Sequence, residues 1–189
     1  LKPTMPYYVL VESMGSDQAK DEEHFEALLS EALDKSLISD AVLAKSEKER
    51  KGLWVLRDDV EKQAQFGPTV MFDVSLPISH MEKYVSQVNK NLNVHWDEFH
   101  FVVWGHLADG NLHLVVGVGD LRRETIRKIE ESVYGPLELI GGSVSAEHGI
   151  GFEKKPYLHL SRTKEEIDFM KTLKKTFDPN GILNPGLIF

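Results

Sequence analysis

Apolar positions along the 189-residue chain recur with two periods. Dense or alternating β-branched and aromatic residues predict strands over Pro6–Ser13, Asp40–Ala44, Thr69–Leu76, Glu98–Gly105 and Asn111–Val118. Helical spacing predicts five helices. The first covers Lys20–Leu33, with Phe25, Leu28, Leu29 and Leu33 on one face. The second starts after Ser46 and runs to about Phe66, where Gly67-Pro68 stops it. A third follows Ser79, with Met81, Tyr84, Val85, Val88 and Leu92 inward, and a fourth follows Asp120, with Ile126, Ile129 and Val133 inward. The fifth opens at Thr163 and faces Ile167, Met170, Leu173 and Phe177 toward a core. Ser46/Glu49, Ser79/Glu82 and Thr163/Glu166 have capping-box spacing, and Asp109-Gly110 is a hairpin-type turn signal. The apolar tail ILNPGLIF is expected to dock. The pattern predicts an α+β fold, an antiparallel sheet covered by helices, with ferredoxin-like βαβ units used twice. No Pro/Gly/Ser-rich linker interrupts the chain, so one domain over residues 1–189 is expected.

Composition narrows the chemistry. The net charge is −8, and without a basic patch nucleic acid is not the expected partner. There is no cysteine, which excludes disulfides, thiolate catalysis and cysteine-ligated zinc. No apolar run approaches the ~18 residues of a membrane span. The chain begins at Leu1 rather than Met, so a piece of a longer protein is expected.

Three segments carry candidate chemistry. In Gly105-His106-Leu107-Ala108-Asp109-Gly110-Asn111-Leu112-His113, two histidines flank a tight turn. Neutral imidazoles there are either ligands for zinc or a related divalent metal, or hydrogen-bonded strand histidines. The loop Gly141–Gly151 holds four glycines together with Glu147 and His148. Glu147 offers the carboxylate of an open metal site, and His148 a base at neutral pH; the plain alternative is that both face solvent. The loop matches neither phosphate-binding glycine pattern. Arg57, in an apolar stretch of the second helix, is either a carboxylate clamp or the partner of a nearby acid such as Asp58 or Glu61. Trp54, Phe72 and Trp104 are expected in the core.

Taken together, GHLADGNLH, GGSVSAEHGIG and LKKTFDPNGILNPG resemble the C-terminal domain of the FAD-linked oxidase family, in order and over nearly the whole chain. That family includes D-2-hydroxyglutarate, D-lactate and glycolate dehydrogenases. The resemblance implies FAD bound mainly by an N-terminal domain outside this chain, and a divalent metal, zinc in dehydrogenases of this type. It implies His106, His113 and Glu147 as metal ligands, His148 as general base, Arg57 on the substrate carboxylate and Asn184 near the flavin. The implied reaction oxidises a small D-2-hydroxy acid to the 2-oxo acid. Electrons would leave to a quinone, an electron-transfer flavoprotein or a cytochrome, in the cytoplasm or mitochondrial matrix. The sheet class also makes a homodimer a candidate assembly.

Three positions depart from the dicarboxylate-specific members. Met71 stands where they typically carry Lys, Glu61 where they often carry Thr, and Val115 where they often carry Asn. These changes favour a smaller or more apolar acid, such as lactate or 2-hydroxybutyrate. From the residues alone, a metal-dependent hydrolase using the same His/His/Glu site and a module that merely senses 2-hydroxy acids are the competing functions.

Overall fold

The alternation Val70, Phe72, Val74 against Met71, Asp73, Ser75 gives the first strand two unlike faces. The computed structural model describes residues 5–59, 62 and 65–188. They divide into two compact units, Leu1–Glu61 and Lys62–Phe189.

In the first unit, α1 (Gln18–Asp34) is capped by Asp17, whose side chain accepts from the Lys20 amide. Its half-buried apolar positions, Phe25, Leu29 and Ala32, follow helical spacing, whereas Leu28 and Leu33 are exposed. In α2 (Glu47–Asp58) the Ser46 hydroxyl accepts from the Glu49 amide. The Glu49 carboxylate turns instead to the Lys45 amide, at 2.7 Å, so the reciprocal half of the box is not made. α2 stops at Asp58, short of Phe66, and Glu61 lies outside the described residues. Arg50 pairs with Glu47 and Glu12 on the solvated face.

Neither early strand forms. Residues 7–14 have no regular secondary structure, with Tyr7 86% exposed. Asp40–Ala44 is irregular. β-propensity reflects fit to a half-buried pleated surface, and no described residue of this unit forms a strand that could supply one.

The second unit holds the sheet: β1 (Thr69–Ser75), β2 (His100–His106) and β3 (Asn111–Gly117), all antiparallel neighbours in the order β1-β3-β2. β1 and β2 therefore run parallel with β3 between them, and α3 (Met81–His95) makes the crossover. One split βαβ unit is present, and the described residues form no second one. The inner face packs Phe72, Val74, Leu114 and Val116 against Tyr84, Val88 and Leu92 of α3. It also meets Ile129 and Val133 of α4 (Arg123–Tyr134).

Two expected caps differ. Ser79 sits in a short 3-10 turn, Ile78–His80, and α3 starts at Met81 without a side-chain cap. Asp120 acts from three residues before α4, accepting from the Arg122 amide and the Thr125 hydroxyl, each at 2.7 Å. By contrast, α5 (Lys164–Phe177) opens with the complete Thr163/Glu166 capping box. Only Ile167 and Met170 of its apolar stripe are half-buried, and Phe177 is 79% exposed. The tail is likewise exposed, with Ile182 76% accessible. Polar bonds rather than apolar burial hold it: the Asp178 carboxylate accepts from the amides of Ile182 and Leu183, each at 2.9 Å.

No helix among the described residues is long and apolar enough to cross a membrane.

Candidate functional site

The outer face of the sheet is built from three rows of cross-strand neighbours. Met71, Val115 and Val102 form an apolar row. Asp73, His113 and Trp104 form the next. Ser75, Asn111 and His106 form the third, at the hairpin end. Trp104 thus lies outside the core, half-buried, with its ring 5.6 Å from that of His113.

The hairpin brings the two histidines together. After His106 a 3-10 turn, Leu107–Asp109, ends on Gly110 at φ +75°. A side chain on Gly110 would stand 2.3 Å from the Leu76 carbonyl oxygen, and one on Gly105 would stand 2.1 Å from that of Asn111. Both positions need glycine for the hairpin to close this tightly. The rings of His106 and His113 then lie 6.0 Å apart.

The glycine-rich loop folds over the same face. Ser143 pairs with Ser75 through two backbone bonds of 3.0 and 2.7 Å, joining the loop to the edge of β1. Beyond it, Glu147 Oε1 is 3.8 Å from His106 Nε2, and Glu147 Oε2 is 3.6 Å from His113 Nε2. The His148 ring lies 5.8 Å from that of His113. His113 is the most enclosed of these, its side chain 13% exposed, while His106, Glu147 and His148 face solvent.

These separations suit a shared cation. Two ligands of one tetrahedral ion with bonds of ~2.1 Å sit about 3.4 Å apart, close to the 3.6 Å between His113 Nε2 and Glu147 Oε2, while His106 approaches the other carboxylate oxygen at 3.8 Å. Imidazole nitrogen and carboxylate oxygen are donors that zinc accepts. The group whose ligand atoms all fall within 4.8 Å of one another is Asp73, His113, Glu147 and His148, and His106 stands outside it. Nearby, the buried Asn111 has its Nδ2 3.4 Å from His113 Nε2, and its Oδ1 has no partner.

Asp73 was not singled out as a site residue by the sequence. It is 1% exposed. Its Oδ2 accepts from the amides of Ala146, Glu147 and His148 at 3.2, 2.9 and 2.8 Å. The Ser145 hydroxyl and Lys154 Nζ also donate to it, both at 3.2 Å. Burial pushes the Asp73 carboxyl up, but the amides of His148 and Glu147 and the Lys154 charge overcome this and hold it down at about 2. The legible signal was a lone acid inside an otherwise apolar strand, TVMFDVSL.

Two sequence candidates belong to other segments of the chain. Arg57 belongs to the first unit, where it is exposed and pairs with the adjacent Asp58 at 2.8 Å. Asn184 sits in the exposed tail at φ +45°, a left-handed conformation that asparagine tolerates, and its carbonyl accepts from the Leu187 amide.

The sequence model for the C-terminal domain of FAD linked oxidases matches residues 1–188. The chain belongs to this family. It is 40% identical to a protein of Schizosaccharomyces pombe that carries a mitochondrial D-lactate dehydrogenase name, over 98% of this chain and 37% of the relative. It is 37% identical to the D-2-hydroxyglutarate–pyruvate transhydrogenase of Saccharomyces cerevisiae, over 95% of this chain and 38% of that protein. It is 35% identical to the mitochondrial D-2-hydroxyglutarate dehydrogenase of Arabidopsis thaliana, over 95% of this chain and 32% of that one. The chain therefore spans between about a third and two fifths of these relatives.

Proposed function

We propose that this chain is the substrate-side domain of an FAD-dependent dehydrogenase that oxidises a D-2-hydroxy acid to the 2-oxo acid. The observation that carries the proposal is the convergence of His106, His113, Glu147 and His148 on one sheet face of a chain from the FAD linked oxidase family. His106, His113 and Glu147 would hold a divalent metal, zinc in this reading. When bound, the metal supplies Lewis acidity toward the α-hydroxyl and carboxylate, and the flavin supplies a hydride acceptor.

The chain's own residues do the rest. His148 takes the hydroxyl proton onto its imidazole. Trp104 walls one side of His113 and limits water there. Arg57 is assigned to the substrate carboxylate and Asn184 to the neighbourhood of the flavin, both on sequence resemblance alone. The apolar row Met71, Val115 and Val102 adjoins the Asp73/His113/Trp104 row and offers no cation to a second carboxylate. We therefore assign a small or apolar acid, D-lactate or D-2-hydroxybutyrate, ahead of D-2-hydroxyglutarate.

Steady-state turnover by the full-length protein, with an artificial electron acceptor and a panel of D- and L-2-hydroxy acids, tests this. Turnover of D-lactate that falls roughly 10²- to 10⁴-fold in His148→Ala is expected. Strong preference for D-2-hydroxyglutarate overturns the substrate assignment, and no oxidation of any 2-hydroxy acid overturns the dehydrogenase reading.

A further inference from the structure

The pair Asp73 and Lys154 is buried on the site side of the sheet, where two charges are expensive to keep from water. Lys154 also donates to the Asp73 carbonyl at 3.3 Å and to the Ser145 hydroxyl at 3.0 Å. We propose that this pair is the anchor that fixes Glu147 and His148 opposite His113, with Asp73 a positioning residue and not a metal ligand. The inference rests on the reading of Glu147 as ligand and His148 as base.

Three observations carry it. First, Asp73 and His113 are direct cross-strand neighbours, so the residue that holds the loop sits beside the enclosed histidine. Second, the amides that converge on Asp73 belong to three successive residues, Ala146, Glu147 and His148. Successive N–H groups wrapped on one anion fix the backbone from which both functional side chains project. Third, Lys154 lies beyond the loop, while Ser143 binds β1 at its start. The loop is tied at its start, middle and end to a single strand.

Asp73 lies close enough to His113, Glu147 and His148 to be counted as a ligand itself. Its Oδ2 already receives five donors, one of them an ammonium. A cation placed there would compete with Lys154. The anchor role and the ligand role thus make opposite demands on Lys154.

The test uses the full-length protein and the variants Asp73→Asn, Lys154→Met and the double variant. Zinc affinity is read by competition with a chromogenic chelator. Amide exchange of the peptide spanning residues 145–149 is read by mass spectrometry. The anchor predicts a roughly 10- to 100-fold loss of zinc affinity in each variant and faster exchange at residues 146–148. The double variant removes both charges together and should keep its melting temperature within about 4 °C, so the loss of affinity there does not report unfolding. Unchanged affinity and exchange in the double variant overturn the proposal. Tighter zinc in Lys154→Met beside abolished binding in Asp73→Asn makes Asp73 a ligand and also overturns it. A wild type that binds no zinc, yet whose slow exchange is lost in all three variants, upholds the anchor and overturns the metal reading instead.

Discussion

The two faces of the three-stranded sheet are made by the same strands and differ in almost every physical respect. Inward, Phe72, Val74, Leu114 and Val116 lie under two helices in a close-packed apolar layer. Outward, Asp73, His113, Trp104 and His106 lie under a loop, bonded through polar atoms and partly open to water. Alternation assigns each residue to its face, so a one-residue slip would exchange core and site. The inner face secures that register by burial, and the outer face depends on it for the spacing of its donors. Stability and chemistry are thereby placed on alternating residues of the same strands.

His113 and Leu114 are consecutive and offer the sharpest way to break this comparison. Leu114→Ala empties a fully buried site and should cost about 2–5 kcal/mol of unfolding free energy. Chemical denaturation of the full-length protein measures it. With metal removed from both proteins, His113→Ala should change stability by no more than about 1 kcal/mol, and metal-replete His113→Ala should hold no stoichiometric metal. If both variants lose stability equally, the division between the faces is wrong.

Acid should reach the outer face through Asp73. Its folded carboxyl lies at about 2, below the ordinary 3.8. The stabilisation is therefore complete above pH ~4 and lost as pH falls through the folded value near 2. The difference corresponds to about 2 kcal/mol. A stability–pH profile that loses this slope in the Asp73→Asn/Lys154→Met double variant is expected.

The smallest expected effect concerns selectivity. Met71 projects from the outer face and is 61% exposed. Met71→Lys should raise the kcat/KM ratio of D-2-hydroxyglutarate over D-lactate by roughly three- to tenfold, the scale of a partly exposed ion pair. An unchanged ratio would remove Met71 from the substrate-facing surface.

Much of this architecture was legible in the sequence because burial imposes periods on it. The three strands and the helical faces of α3 and α4 follow directly from Phe72/Val74, Leu112/Leu114 and Tyr84/Val88/Leu92. The hairpin was legible from Asp109-Gly110. The failures share a cause: local pattern does not reveal whether a partner is at hand. Pro6–Ser13 has strand composition in a unit whose described residues form no strand, and the apolar tail reads as docked although Asp178 and Lys174 hold it at an exposed surface. Trp104 reads as core because aromatics usually are, yet its register with His113 puts it on the outer face. Asp73 escaped notice because its role exists only when residues 145–148 fold back across more than 70 positions. His106, His113, Glu147 and His148 were singled out from the sequence, and the structure sets Glu147 beside both His106 and His113 and the His148 ring beside that of His113.

Anaerobic mixing of the full-length protein with D-lactate, followed by flavin absorbance with and without a zinc chelator, tests the central claim most directly. Bleaching that is rapid in the untreated enzyme, and lost both after chelation and in His113→Ala, is the predicted result. Bleaching that persists in the chelated enzyme and in His113→Ala would contradict the account, because the outer face would then be dispensable to the chemistry assigned to it.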